Sequence, residues 1–286
     1  MDGQMFSVDT PSAGTIQGLR WGPRGAAPLL AVHGWLDNAA SFARLASYLP
    51  QAQLVAIDLP GHGHSQHRPA GSRYHLLDYV PVLLEVADAL SWPKMSILGH
   101  SLGGAIAVLA AVVAPARVKA MVLIEGLGPA SESPEKVPTR LRDSIKAHGE
   151  MHNKAAAVYS DLESIVTARA RVGQMSEAAA RALVMRNIYK EQDGYRWRSD
   201  PRLRLPSPVF LTEPQVLAYL SAIEIPTQVL LAKEGVLAKR ESLELRLAAL
   251  KAGEVQWLAG KHHLHMDDPE PVAGAIQAFL SNLGAA

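Results

Sequence analysis

The sequence predicts an α/β protein built on a mostly parallel, doubly wound sheet, with a block of helices inserted late in the chain. Three observations carry that expectation. Short apolar runs recur, each followed by a loop and then a helical pattern. That alternation breaks over residues 127–223, which read as several helices without a convincing strand. The segment from Leu102 to Val113 is small and apolar on every side, as a buried helix should be. Near-continuous apolar strands are what a parallel sheet requires, because its crossover helices cover both faces.

The elements follow along the chain. Residues 5–8 and 15–21 alternate around a Pro-Ser-Ala-Gly turn and read as a hairpin. Strands are expected at Leu29–Val32, Leu54–Ile57, Met95–Leu98, Ala120–Ile124, Gln228–Ala232 and Val255–Leu258. Between them, Asn38 to Leu49 reads as a helix capped by Asp37 or Asn38 and stopped by Pro50. Leu76 to Leu90 is similar, with Pro81 tolerable only in the first turns. Asp268 to Leu283 has Pro269 near its start and Gly284 just past its end. In the interrupted stretch, helices are expected at about 139–149, 151–172, 176–191 and 213–223. The expected organisation is a core from 1–126 and 224–286, with 127–223 a helical cap inserted over the sheet.

Composition narrows the function classes. Hydrophobic residues at 48% against 19% charged exclude a disordered chain, and 286 residues suffice for one large core plus an insertion. A formal charge of +1, with Lys and Arg dispersed, offers no footprint for nucleic acid or an anionic membrane. Without cysteine there is no disulfide, thiolate metal site or Cys nucleophile. The first residues lack a secretory pattern. The longest nearly uncharged apolar run, 103–115, falls short of the about 20 residues a transmembrane helix needs. A soluble, cytoplasmic protein is the expectation.

Gly99-His100-Ser101-Leu102-Gly103 matches G-x-S-x-G. Five residues alone are a weak signal, arising by chance in roughly one chain in ten of this length. Context strengthens it, since an apolar strand ends at Leu98 and an apolar helix begins at Leu102. A nucleophilic Ser needs such a strand-to-helix turn, which lifts Oγ clear of the sheet edge, and the flanking glycines remove Cβ clashes. Read without that chemistry, Ser101 would be a helix N-cap after a Gly turn.

With this turn in place the sequence resembles the α/β-hydrolase superfamily over almost its whole length. His33-Gly34-Trp35 is similar to the family's His-Gly-x oxyanion loop. Residues Asp58 to Ser65 are similar to its D-x-P-G-x-G-x-S loop, Gly99 to Gly104 to its nucleophile elbow, and Gly260-Lys261-His262 before Pro269 to its histidine loop. Within the superfamily the chain is most similar to the serine hydrolase-like group, through His262-His263-Leu264-His265 and Asp200-Pro201-Arg202-Leu203. The resemblance implies Ser101 as nucleophile and His262, rather than His263, as base. It implies an oxyanion hole from the backbone N–H groups of Leu102 and Trp35, although Trp35 also reads as an apolar wall residue. His33 and His100 then flank the site.

The acid departs from the pattern. In Ile225-Pro226-Thr227-Gln228-Val229-Leu230-Leu231-Ala232-Lys233-Glu234-Gly235, Gly235 stands where the family's usual Asp belongs. Glu125 and Glu234 remain as substitutes. Glu125 is favoured because it ends a wholly apolar strand, where a carboxylate needs a partner to offset its burial. Some relatives, such as certain haloalkane dehalogenases, place their acid there. Otherwise Glu125 would merely cap the following loop.

His263-x-His265-x-Asp267 loosely resembles the H-x-H-x-D signature of zinc hydrolases, but no metal is expected there, because Asp268 stands where that signature continues with a His. No cofactor is expected, nor a nucleotide, since no Gly-Lys-Ser/Thr accompanies the Gly-rich 61–65 loop. The expected reaction is cleavage of a small, largely apolar ester through an acyl-enzyme on Ser101. A non-catalytic ligand receptor on the same fold, and a C–C bond hydrolase or cofactor-free haloperoxidase-like enzyme, are the alternatives.

Overall fold

The N-terminal hairpin opens the sheet: β1 (Gln4–Thr10) and β2 (Gly14–Trp21) pair antiparallel. The chain then lays down β3 (Pro28–Val32), β4 (Gln53–Ile57), β5 (Met95–His100) and β6 (Val118–Ile124). After an interruption come β9 (Thr227–Ala232) and β10 (Gly253–Leu258). A separate antiparallel hairpin, β7 (Ile188–Glu191) and β8 (Gly194–Trp197), lies within the interruption. The order in the main sheet is β1-β2-β4-β3-β5-β6-β9-β10, and every pair from β4 to β10 is parallel. This computed structural model describes residues 3–151 and 157–283.

The central strands are apolar throughout because each face is covered. Leu30, Val32, Ile97, Met121, Leu123, Val229 and Leu231 face α2 (Tyr79–Ala89) and α3 (Leu102–Val113). Their alternates Leu29, Ala31, Leu98, Val122, Ile124, Leu230 and Ala232 face α1 (Ala43–Ala46) and α10 (Pro269–Asn282). At about 1.5–3 kcal/mol per fully buried large apolar side chain, these two faces carry most of the fold's stabilisation. The edge strand β10 departs from the expected pattern, with Val255 42% and Trp257 41% exposed.

The interruption holds α4 (Val137–Met151), α5 (Leu162–Gly173), α6 (Glu177–Asn187) and α7 (Glu213–Ser221). Two expectations change here. The helix expected over 151–172 starts at Leu162, its residues 152–156 lying outside those described, and Tyr159 already pairs with Tyr195. The helix expected over 176–191 stops at Asn187, where Ile188 turns extended and enters the β7–β8 hairpin. Asp193-Gly194 is the turn signal that a four-residue strand next to a helix concealed. The helix expected over 38–49 shortens to a 3-10 turn, Ala39–Phe42, followed by α1. Gly284 lies outside the described residues.

The helices α5 and α6 share a third apolar cluster, in which Met266 from the histidine loop also packs. Polar ties bind the interruption to the rest. Arg186 on α6 grips the buried Asp58 carboxylate through Nε and Nη2, at 2.8–3.1 Å. Fully buried Arg246, on α8 (Leu243–Ala249), donates to Glu213 at the start of α7, to the Leu127 and Pro129 carbonyls and to Ser131 Oγ. A short α9 (Leu264–Asp267) completes the helices, and none among the described residues is long and apolar enough to cross a membrane.

Candidate active site

The strongest backbone signal is at the end of β5. Ser101 has φ 51° and ψ −111°, where non-glycine residues are rarely found and only when their surroundings hold them. Its N–H donates to Ile124 O at 3.0 Å, and its carbonyl accepts from Gly104 and Ala105. The turn is tight enough that a Cβ on Gly103 would lie 1.9 Å from Val32 O. Five non-glycine residues among those described have positive φ. Three of them, Leu36, Ser101 and Glu125, sit in the loops after β3, β5 and β6, at the edge where parallel α/β sheets bind their ligands.

Glu125 follows β6 directly, with φ 47° and 1% exposure. Its N–H donates to Leu230 O on the neighbouring strand. One carboxylate oxygen, Oε1, accepts from Ala232 N–H at 2.8 Å. The other, Oε2, accepts from Val236 N–H at 2.9 Å and Leu237 N–H at 3.4 Å, and lies 3.2 Å from His262 Nδ1. Burial by itself would raise this carboxyl's pKa, but the His262 and backbone donors outweigh it and hold the group below its ordinary value. With an ionised partner at Oε2, His262 Nδ1 carries a proton and Nε2 is left as the basic nitrogen.

Gly235 explains how the carboxylate fits. A Cβ at 235 would stand 2.3 Å from Glu125 Oε2 and 2.5 Å from its Cδ. Glu125 therefore fills the space that a side chain at the family's usual acid position would occupy. Glu234 is exposed, and its N–H donates to Gly260 O. The structure thus brings Glu125, not Glu234, to His262.

The two backbone donors expected for an oxyanion sit on adjoining loops. Leu102 is the first residue of α3, so its N–H has no intrahelical acceptor. Trp35 lies in the loop after β3, 54% exposed, with its indole Nε1–H donating to Leu203 O at 2.9 Å. That bond ties Trp35 to the Asp200-Pro201-Arg202-Leu203 turn, where Arg202 grips Asp200 and the Arg68, Pro69 and Ser72 carbonyls. His33 works in support, since its Nε2 accepts from Leu59 N–H and its Nδ1–H donates to Gly34 O.

Beneath the elbow lies a polar cluster that residue-by-residue motif reading did not find. Asp37, His100, His263 and His265 are all buried. His100 Nε2–H donates to His262 O at 3.0 Å, linking the elbow to the histidine loop. Burial pushes the His100 imidazole down to about 4 in spite of the nearby Asp37 carboxylate. Burial opposes ionisation of Asp37 as well, but His100, His263 and Arg169 hold its carboxyl well below the usual range. The one signal for this cluster was the number of His and Asp residues next to the motifs.

Similarity to known proteins gives the family. A profile described as alpha/beta hydrolase fold matches residues 27–204. A probable serine hydrolase of Drosophila melanogaster is 31% identical, over 96% of this chain and 87% of that protein. A serine hydrolase-like protein of Danio rerio is 30% identical, over 93% and 85% respectively. The crystal structure of a hypothetical protein from Pseudomonas aeruginosa PAO1 superposes with a TM-score of 0.90 at 39% identity, covering 100% of both chains. A thioesterase domain from the curacin biosynthetic pathway shares the fold, with a TM-score of 0.87 at 23% identity over 97% of this chain and 100% of that one. The chain belongs to the α/β-hydrolase-fold family.

Proposed function

We propose that the protein hydrolyses an ester of a small, largely apolar molecule through an acyl-enzyme on Ser101, with His262 as base and Glu125 as the acid that orients it. The observation that carries the reading is Glu125. A buried carboxylate is held by three backbone N–H groups against His262 Nδ1, in a chain whose usual acid position is Gly235. Family membership supports the broader assignment as a hydrolase.

In this mechanism Ser101 Oγ attacks the ester carbonyl carbon while His262 Nε2 takes the hydroxyl proton. The Trp35 and Leu102 N–H groups receive the developing oxyanion. Collapse expels the alkoxide, which takes the proton from His262. A water then repeats the sequence on the acyl-enzyme, releasing the carboxylic acid and restoring Ser101. Glu125 keeps Nδ1 protonated and stabilises the imidazolium at each stage. Glu125 beside His262 supports the hydrolase reading over a non-catalytic receptor on the same fold.

We place the 127–223 segment as a cap over Ser101 and the protein in the cytoplasm. The test is labelling of Ser101 by a fluorophosphonate together with turnover of p-nitrophenyl esters of graded acyl length. Rapid labelling of Ser101 and turnover of at least one of these esters are expected. Folded protein that neither labels nor turns over would overturn the assignment.

A further inference from the structure

We propose that Asp37, His100 and His263 form a buried site for one divalent transition-metal cation of the zinc type, directly beneath the nucleophile and base. The inference does not depend on the ester reading. It starts from hydrogen-bond bookkeeping. His100 Nε2 lies 3.0 Å from His262 O, and His263 Nδ1 lies 3.1 Å from Gly173 O. A carbonyl oxygen only accepts, so both nitrogens carry hydrogens. While both rings are neutral, the remaining nitrogens, His100 Nδ1 and His263 Nε2, present lone pairs. Each faces the same carboxylate oxygen, Asp37 Oδ2, at 3.5 Å and 3.4 Å.

With both rings neutral, three electron pairs face one another with no proton between them. Asp37 Oδ2 and His100 Nδ1 are buried without a hydrogen-bond partner. Such orphaned groups are costly, by about 1–3 kcal/mol each, and call for an explanation. A single added proton would serve one imidazole and leave the other facing Oδ2. A cation would serve all three donors at once.

The spacing fits such an ion. Zinc binds imidazole nitrogen and carboxylate oxygen at about 2.0–2.2 Å, so neighbouring ligand atoms on a tetrahedron lie about 3.3–3.5 Å apart. The three ligand atoms here all lie within 4.8 Å of one another, with two edges at 3.4 Å and 3.5 Å. The outer interactions also match a metal centre, where ligating imidazoles donate their other N–H to backbone carbonyls and ligating carboxylates are themselves hydrogen-bonded. Arg169 binds Asp37 Oδ1 and leaves Oδ2 to the cluster. The set differs from His263-x-His265-x-Asp267: His265 Nε2 bonds Ser41 Oγ, and Asp267 accepts from Ser176 N–H.

The position gives the ion a role. His100 adjoins Ser101 and His263 adjoins His262, so one cation would join the loops carrying nucleophile and base to the loop after β3. Because all three ligands are buried, the metal would enter during folding or by slow opening.

The test uses the full untagged chain, unfolded with chelator and refolded with zinc or cobalt(II). About one equivalent of zinc per chain is expected by mass spectrometry, with strong visible absorption from low-coordinate cobalt. His263→Gln should lower affinity by about tenfold or more, whereas His67→Gln, in an exposed residue, should leave it unchanged. Refolded wild type with native circular dichroism and no stoichiometric metal overturns the proposal. So does a pale, six-coordinate cobalt spectrum, which marks surface binding, or undiminished binding by folded His263→Gln. Should His263→Gln not fold, the wild-type cobalt spectrum decides alone.

Discussion

The space at Gly235 makes the sharpest test of how the site is built. In Gly235→Ala the new Cβ would stand 2.3 Å from Glu125 Oε2, 2.5 Å from Oε1 and 2.5 Å from Cδ. Carbon and oxygen in contact need roughly 1 Å more, so the carboxylate must retreat by about that much. Hydrogen bonds weaken quickly with length. The bonds from Ala232 and Val236 at 2.8 and 2.9 Å, and the 3.2 Å approach to His262, cannot all survive the move. A misplacement of about 1 Å costs on the order of a hundredfold in rate, and outright loss of a triad acid about ten-thousandfold. Gly235→Ala should therefore lower kcat by about 10²–10⁴ while changing KM little. Steady-state turnover of a p-nitrophenyl ester measures this, with circular dichroism to show that the fold persists. The reciprocal swap, Glu125→Gly with Gly235→Asp, returns a carboxylate to the same space from the other strand. It should exceed Glu125→Gly alone by about tenfold or more. Wild-type kcat in folded Gly235→Ala would refute the reasoning, because Glu125 would then not be needed where it stands.

Three further outcomes follow from the same geometry. Glu125→Gln should slow fluorophosphonate labelling of Ser101 by about 10²–10⁴-fold, while Glu234→Gln, changing an exposed residue, leaves it unaltered. Arg246→Met leaves the Leu127 and Pro129 carbonyls and the Glu213 carboxylate without their shared donor, and urea unfolding should register a loss of about 3–5 kcal/mol. Arg246 also holds the Glu213 carboxyl down to about 2, so this group stabilises the fold above its ordinary range near 4.5 and loses that contribution as pH falls toward 2. Across that window, stability should fall by up to about 3 kcal/mol in the wild type and more shallowly in Glu213→Gln, as read by denaturant melts at stepped pH.

Much of the architecture is legible because it rests on near-continuous apolar runs. β3, β4, β6 and β9 each extend the expected apolar run by only one or two residues. α3 matches its expected limits because one composition, small and apolar throughout, suits a helix buried behind the elbow. Where tertiary context decides, the sequence misleads. Val255 and Trp257 look like core, yet β10 is the last strand of the sheet and leaves both partly exposed. The β7–β8 hairpin was hidden because Ile188 to Glu191 continues the helical sequence pattern of α6, although the helix itself ends at Asn187. Asp37 and Asn38 both read as helix caps; Asn38 makes the bond, and Asp37 faces the histidines instead.

The acid illustrates a more general reason why a motif can fail while the chemistry persists. What a triad requires is a carboxylate at one point beside the imidazole, and chain position matters only through reach. β6 and β9 are parallel neighbours, with Ile124 beside Leu230 and the Glu125 N–H on Leu230 O. Side chains leaving the ends of these two strands therefore converge on the same space. Either strand can supply the carboxylate, but both cannot, because the space holds one. A sequence that carries Glu at 125 must then carry almost nothing at 235, and the Cβ clash at Gly235 is the physical form of that exclusion. The glycine that looked like a missing acid is the counterpart of the acid that is present. Pairs of this kind, a charged residue gained on one strand and a side chain lost on its neighbour, can be sought wherever a parallel sheet presents adjacent strand ends to one site.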